Sequence, residues 1–463
     1  MNERAVVLDI LLELERGNGY VDQLVRDTLD KYDYLEGRDK AFIKRLAEGT
    51  VERKITIDYV IDSFSKCSTS KMKPVIRQII RMGVYQILFM DSVPDSAACN
   101  EAVRLAEKRR FGSLKGFVNG VLRNVARNKD MIKYPDSAAD WEYAVSVGES
   151  VPRETVHMLA GWYGEKKTET VIRDFNKVHP VTIRVCDMKA FSEIKDLPGW
   201  DKVRLEQHPY LDYAMTVSGA DGIDSLPGFA EGIFTVQDVS SMLVTEAAGI
   251  CAGQFILDVC AAPGGKACHS AGCLAGADSR AGNGVPAGHL TACDVSSERA
   301  VKITENMRRL KLSNMDVKVC DATVFDPGYE GKADIVFADV PCSGLGVAGR
   351  KPDIKYHVTA AGIQELTHIQ WEIVSNVSRY LKPGGILIYS TCTLTEDENS
   401  RMVQKIVSEL PFTTESLEKY MPAALMEKLD EGETLNVKNG CLQLLPGIQK
   451  TDGFFISRLR KKS

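Results

Sequence analysis

Two cysteines in the later half of the chain each close an apolar run, and an acid accompanies one of them. Phe337-Ala338-Asp339-Val340-Pro341-Cys342-Ser343-Gly344 ends a strand-like stretch with a carboxylate, a rigid proline and a thiol; Ile388-Tyr389-Ser390-Thr391-Cys392-Thr393 ends another with a second thiol. In an open α/β sheet the carboxyl ends of the strands face one crevice, so both sulfurs and Asp339 are expected to meet there. That set suits addition to a pyrimidine. Carbon 5 of cytosine is a poor nucleophile, and a thiolate adding at carbon 6 pushes electron density onto it, splitting one hard step into two easier ones. A carboxylate hydrogen-bonded to the ring nitrogen and amino group would stabilise the charge that develops. The second thiol would remove the carbon 5 proton or assist release. On spacing alone, either cysteine fits the attacking role. A lone strand-end cysteine is ordinarily a small buried hydrophobe, which is the expectation for Cys186, Cys293, Cys320 and Cys441.

A second reactant needs a pocket beside those thiols. Leu257-Asp258-Val259-Cys260-Ala261-Ala262-Pro263-Gly264-Gly265-Lys266 reads as an apolar strand, a tight turn of small residues and the start of a helix. Gly264 and Gly265 lack the Cβ atoms that would hold a ligand away, and the helix N-terminus offers free N–H groups to a carboxylate or phosphate. The pattern is not GxGxxG, so it is no dinucleotide fingerprint. Asp294, Asp321 and Asp339 follow the second, third and fourth apolar strands. A carboxylate at the second strand can accept both ribose hydroxyl protons, and one at the third can accept from an adenine amino group. Singly, each acid would be read as a helix cap or turn residue. Three in register with a glycine turn point to a nucleoside pocket.

The elements that must hold these groups follow from the texture of the chain. Beyond Phe234, apolar strands at 255–259, 289–293, 317–320, 335–338 and 386–389 alternate with helices, which predicts a parallel, doubly wound sheet. From residue 5 to about 129 the pattern is helical throughout. Val75, Ile76, Ile79, Ile80, Val84, Ile87 and Leu88 fall three and four apart, and Phe117, Val118, Val121, Leu122 and Val125 make one face of a later helix that follows the basic Lys108-Arg109-Arg110. Between them lies a mixed connector, where Pro152 can open a helix and residues 180–185 alternate like a strand. The Ala- and Gly-rich residues 271–288, with Gly276, Gly282, Gly284 and Gly288, are expected to form a mobile surface insertion. Arg458-Leu459-Arg460-Lys461-Lys462 reads as a short basic tail.

At 463 residues the chain suggests about three domains. With 44% hydrophobic and 26% charged residues it is globular, neither disordered nor fibrous. The first apolar run is interrupted by Asp9 and Glu13, which excludes a signal peptide or membrane span there and makes the cytoplasm the expected location. Twelve cysteines without a close CxxC or His/Cys cluster fit neither a disulfide framework nor a metal site, so reduced and mostly buried thiols are expected. Net charge is -5, but residues 1–130 hold 23 Lys and Arg against 19 Asp and Glu, a local +4. A basic front is compatible with a nucleic-acid partner and equally with a solvated surface.

Cys260 through Lys266, Asp339 through Gly344 and Ser390-Thr391-Cys392 together resemble the Sun/Nop family of RNA cytosine C5-methyltransferases. Phe234-Thr235-Val236-Gln237-Asp238, Arg350-Lys351-Pro352-Asp353, Glu398-Asn399, Leu445-Pro446-Gly447 and Thr451-Asp452-Gly453-Phe454-Phe455 match in support. The front is similar to the antitermination factor NusB, with Phe117-Val118-Asn119-Gly120-Val121-Leu122-Arg123 carrying the likeness. The resemblance implies a NusB-like all-α RNA-binding domain at 1–140, a small α/β, RRM-like connector at 141–232, and a Rossmann-like methyltransferase domain at 233–463. It implies S-adenosylmethionine as cofactor, lined by Cys260, Ala261, Ala262, Pro263, Gly264, Gly265, Lys266, Asp294, Asp321 and Asp339. By the same resemblance Cys392 is the nucleophile, Cys342 assists release, the product is 5-methylcytidine in 16S rRNA, and the enzyme works without metal as a monomer. A tRNA cytosine methyltransferase and a non-catalytic NusB-like assembly factor are the alternatives.

Overall fold

The computed structural model describes residues 2–463 except Asn18, Asp33, Asp221 and 283–286, and it divides into two compact units. The first unit comprises Met1–Lys177 with Ala348–Val358, and the second comprises Val178–Val347 with Thr359–Ser463. The division falls inside the stretch read from sequence as a connector.

The first unit is helical. Proline at the first turn starts the helix Pro74–Phe89, where its missing N–H costs nothing. That helix buries Ile76, Ile79, Ile80, Val84 and Ile87 against the rest of the core, as the three-and-four spacing requires. The helix Lys115–Asn128 buries Val118, Val121, Leu122 and Val125 and leaves Arg123, Asn124 and Arg127 exposed. The helix Arg153–Asp174 does begin directly after Pro152. The Arg350-Lys351-Pro352-Asp353 motif lies in this unit: the Val21 N–H donates to Asp353 Oδ2 at 2.6 Å, and Tyr356 Oη lies 2.9 Å from Ser150 Oγ.

The second unit holds two sheets. The smaller contains β1 (Val181–Val185), β2 (Arg204–Gln207), β3 (Ala214–Ser218) and β4 (Phe234–Val236), antiparallel in the order β2-β3-β1-β4, with the helix Met188–Ile194 after β1. Its core is Ile183, Val185, Phe191, Trp200, Val217 and Phe234. The central strands β1 and β3 carry no aromatic residue on which a base could stack.

The larger sheet contains β5 (Phe255–Asp258), β6 (His289–Asp294), β7 (Met315–Val319), β8 (Ala333–Asp339), β9 (Leu381–Thr391), β10 (Phe412–Thr414), β11 (Cys441–Leu444) and β12 (Phe454–Lys461), ordered β10-β12-β9-β8-β5-β6-β7 with β11 on β12. Strands β5 to β9 are parallel, as expected, but β12 runs antiparallel beside β9 and makes the sheet mixed. Ile256, Ile335, Phe337 and Ile388 pack on one face and Leu257, Val336, Ala338 and Tyr389 on the other. Burial on both faces is why these strands read as continuous apolar runs. Chain order reverses between β5 and β8, so the crevice above their carboxyl ends is the switch point where ligands bind.

Three sequence expectations are corrected here. Residues 271–281 are helical, part of the helix Gly265–Ala281; Ala271 and Leu274 pack into the core, and Gly284 lies outside the described residues. The basic tail is instead strand β12. Arg458 is buried and gives Nη1 to the carbonyls of Ala247 and Ala248 at 2.7 and 2.8 Å, while Lys461 Nζ reaches those of Ser378 and Leu381 at 2.9 and 2.8 Å. Arg458 satisfies carbonyls freed where one helix ends, and Lys461 satisfies that of the helix-capping Ser378 and that of Leu381 at the start of β9, so the charge pattern hid a core strand. Finally, only Cys99, Cys268 and Cys293 of the twelve thiols are buried, and Cys186 is exposed.

Candidate active site

Strand β5 ends at Asp258, and the chain turns through Cys260 to Pro263 into the helix Gly265–Ala281. Gly264 takes φ +102°, which a side chain rarely adopts, and a Cβ there would lie 3.2 Å from Ile303. The turn is tied down on its far side. The Ala261 N–H donates to the Cys293 carbonyl at 2.8 Å and the Ala262 N–H to Asp294 Oδ2 at 3.2 Å, while Arg299 and Asn306 donate to the carbonyls of Ala262 and Pro263. Behind it lies a cavity of about 160 Å³ whose wall includes Gln237, Asp258, Cys260, Ala261, Lys266 and Asp339.

Charge in this cavity is unbalanced toward acid. Lys266 Nζ donates to Asp339 Oδ2 at 2.7 Å, and Ser390 Oγ donates to Oδ1 at 2.8 Å. Burial alone would lower the Lys266 ammonium, but the Asp339 charge and hydrogen bond raise it, so the lysine stays charged. Asp258 is fully buried, and among the described residues neither of its oxygens has a well-formed hydrogen bond. Burial, reinforced by the Asp339 charge and opposed by Lys266, pushes its carboxyl up to about 7. The folded protein keeps that proton to about pH 7 while an unfolded chain releases it near pH 4, so stability falls as pH rises through that window. Asp258→Asn removes this penalty. Urea titrations are expected to show the variant gaining stability relative to the parent from pH 5 to pH 8, by about 3 kcal/mol; a pH-independent difference would contradict this account of Asp258.

The two thiols meet. Cys342 Sγ and Cys392 Sγ are 3.4 Å apart, both half-buried at the ends of β8 and β9. The hydrogen bond to Cys392, then burial, pushes the Cys342 thiol well above its usual range. Their spacing is fixed by Glu398, a fully buried carboxylate. Its Oε1 accepts from the Ser343 N–H at 2.8 Å and Gln370 Nε2 at 3.0 Å, and its Oε2 accepts from the Ser343 and Thr395 hydroxyls, each at 2.5 Å. Asn399 holds the other loop, accepting from Thr391 Oγ1 at 2.6 Å and donating to the Thr393 carbonyl at 3.1 Å. Gly346 donates its N–H to the Cys392 carbonyl at 3.0 Å, and a Cβ at Gly346 would stand 2.1 Å from the Gly453 carbonyl oxygen. No other residue fits that crossing.

Residues 250–460 match the profile of the 16S rRNA methyltransferase RsmB/F family, and residues 1–127 match that of the NusB family. The probable ribosomal RNA small subunit methyltransferase B of Bacillus subtilis is 31% identical over 99% of this chain and 98% of its own length. The chain belongs to the ribosomal RNA small subunit methyltransferase B family. Among solved structures, PH0851 is similar with a TM-score of 0.77 at 21% identity, covering 100% of this chain and 99% of that one. NSun6 from Pyrococcus horikoshii with SFG is similar with a TM-score of 0.56 at 20% identity, covering 68% of this chain and 99% of that one. At those identities the likeness is one of fold.

S-adenosylmethionine is the cofactor of RsmB/F enzymes, and the residues present fit it. The surplus of carboxylate over ammonium around Asp258 suits a ligand bearing a sulfonium and an α-ammonium, while the free N–H groups at the start of the Gly265–Ala281 helix suit its carboxylate. Of the residues expected in the pocket, Cys260 to Pro263, Gly265, Lys266 and Asp339 line the cavity. Asp294 braces the turn from below, and Asp321 is exposed, accepting from the Thr323 N–H at 2.9 Å and hydroxyl at 2.7 Å. Cys260, its thiol raised well above the usual range by burial, serves as wall. Sequence reasoning quoted Glu398 and Asp258 but gave neither a role. For Asp258 an acid amid small and apolar residues is the available signal, because a buried carboxylate needs several donors or a raised pKa; Glu398, among the polar residues 395–400, carries no such signal.

Proposed function

We propose that this chain transfers a methyl group from S-adenosylmethionine to carbon 5 of a cytosine in 16S rRNA through a covalent intermediate on Cys392. The observation that carries the reading is the 3.4 Å approach of two thiols beside the Lys266–Asp339 pair. A pair of touching thiols cannot both ionise cheaply. Cys342 retains its proton and donates it, so the thiolate of the pair is Cys392. That thiolate adds to carbon 6, while Asp339 accepts from the base amino group and Lys266 balances the charge developing in the ring. Bound S-adenosylmethionine supplies an electrophilic methyl group to carbon 5. With the Cys392 sulfur now in a thioether, Cys342 no longer faces a thiolate; it loses its proton to solvent, takes the carbon 5 proton, and Cys392 leaves as thiolate. The balance is one proton released per methyl transferred.

The target base must be unpaired or flipped to reach this crevice. We assign RNA anchoring to the NusB-like domain at 1–140, where Lys108, Arg110, Arg123 and Arg127 are exposed, joined through the connector at 141–232 to the catalytic domain at 233–463. Chemistry that depends on free thiols belongs in a reducing compartment, which fits the cytoplasm. Incubating the protein with methyl-labelled S-adenosylmethionine and unmodified 16S rRNA is expected to yield labelled 5-methylcytidine on nucleoside analysis. Label confined to another nucleoside, or to tRNA offered in competition, would overturn the reading.

A further inference from the structure

A larger cavity, about 700 Å³, opens in the second unit and shares no lining residue with the cofactor cavity. Its wall combines Arg184 on β1, Glu246 on the helix Val239–Ala248, His269 and Gly272 on the helix Gly265–Ala281, and the rings of Tyr213 and Tyr420. Two of these side chains are buried polar groups with unused hydrogen-bonding capacity. Arg184 is 6% exposed; its Nε donates to Gln237 Oε1 at 2.7 Å and its Nη1 to Cys186 Sγ at 3.4 Å, and among the described residues its Nη2 has no partner. His269 is 4% exposed, and its Nδ1 has none either. Burial, then the Arg184 charge, holds the imidazole well below its usual range, so it is neutral and adds no charge to the wall.

A buried guanidinium ordinarily pairs with a carboxylate. Among the described residues none is paired with Arg184, and the Glu246 carboxylate on the same wall instead accepts from the Tyr213 hydroxyl at 2.6 Å. Arg280 and Lys419 add two further cations to the lining against Asp212 and Glu246, leaving the cavity net positive. It is not a metal site: among the described residues no three His, Cys, Asp or Glu side chains are placed to hold an ion.

We propose that this cavity binds a small phosphate monoester of nucleotide size, its negative charge answering the buried Arg184 guanidinium and the Arg280 and Lys419 cations of the lining. The depth of Arg184 favours a terminal phosphate entering end-on over a diester inside an intact strand, and the Tyr213 and Tyr420 rings offer faces to the rest of the ligand. Through Gln237, which bonds Arg184 and lines the cofactor cavity, the two sites touch a common side chain.

Equilibrium dialysis of the full chain against radiolabelled inorganic phosphate, with S-adenosylhomocysteine saturating the first cavity, tests this directly. Phosphate is expected to bind at one site, and adenosine 5′-monophosphate to compete with a lower Kd than unlabelled phosphate. Arg184→Gln should weaken binding at least tenfold. Because that substitution disturbs a buried group, Gly272→Phe provides the second variant: a Cβ at Gly272 meets nothing within 4 Å, so the ring fills the cavity from a helical position that tolerates it. Gly272→Phe is expected to abolish phosphate binding while retaining binding of S-adenosylhomocysteine. Absence of phosphate binding at millimolar concentration, or binding unchanged by Gly272→Phe, overturns the proposal.

Discussion

Cys392→Ser is expected to bring methyl transfer to 16S rRNA down to background, a loss in kcat on the order of 10⁴-fold or more, as for removal of other covalent nucleophiles. A hydroxyl in the same place stays protonated at neutral pH and cannot add to carbon 6. Cys342→Ala should act differently. With Cys392 intact, addition and methylation proceed once, and the product then waits for a base to take the carbon 5 proton. Rapid-quench measurements with labelled S-adenosylmethionine would show a burst approaching one methyl per enzyme, then a steady rate reduced by about 10²- to 10⁴-fold, the usual worth of a positioned base. Full steady-state turnover by Cys342→Ala would remove that residue from the mechanism.

Asp339→Asn is the second substitution with a large expected effect, because it damages two things at once. It takes the acceptor away from the base, with kcat/KM falling by about 10²- to 10³-fold as for other lost electrostatic contacts. It also leaves the Lys266 ammonium without its 2.7 Å partner, and a cation stranded this way costs about 3 kcal/mol of stability. The two effects separate in a double substitution. Adding Lys266→Met to Asp339→Asn should restore stability in urea titrations and leave the activity low. Recovery of activity together with stability would show that Asp339 merely neutralises Lys266.

The chemistry was legible in the sequence because it depends on short local strings placed at strand ends. A strand, a turn and a helix start can be read from ten residues such as 257–266, and two such ends imply that Cys342 and Cys392 converge, as they do at 3.4 Å. What escaped notice depended on contacts remote in sequence. Arg458 and Lys461 looked like a solvated tail because their acceptors, the carbonyls of Ala247 and Leu381, lie about 210 and 80 residues away. The Ala- and Gly-rich turns after Ala271 looked structureless because small residues give a weak apolar pattern, and only Ala271 and Leu274 of that stretch reach the core. Glu398 was recognised as part of a motif without a reason; only the fold shows that it joins the backbone beside Cys342 to the loop carrying Cys392.

The most direct test is to identify the residue that carries the RNA when release is blocked. Cys342→Ala, incubated with S-adenosylmethionine and unmodified 16S rRNA, should give an SDS-resistant complex. After digestion with protease and nuclease, mass spectrometry should find one methylated cytidine joined to the peptide containing Cys392. No complex from Cys342→Ala, together with a stable one from Cys392→Ser linked through Cys342, would reverse the roles of the two sulfurs and contradict the mechanism.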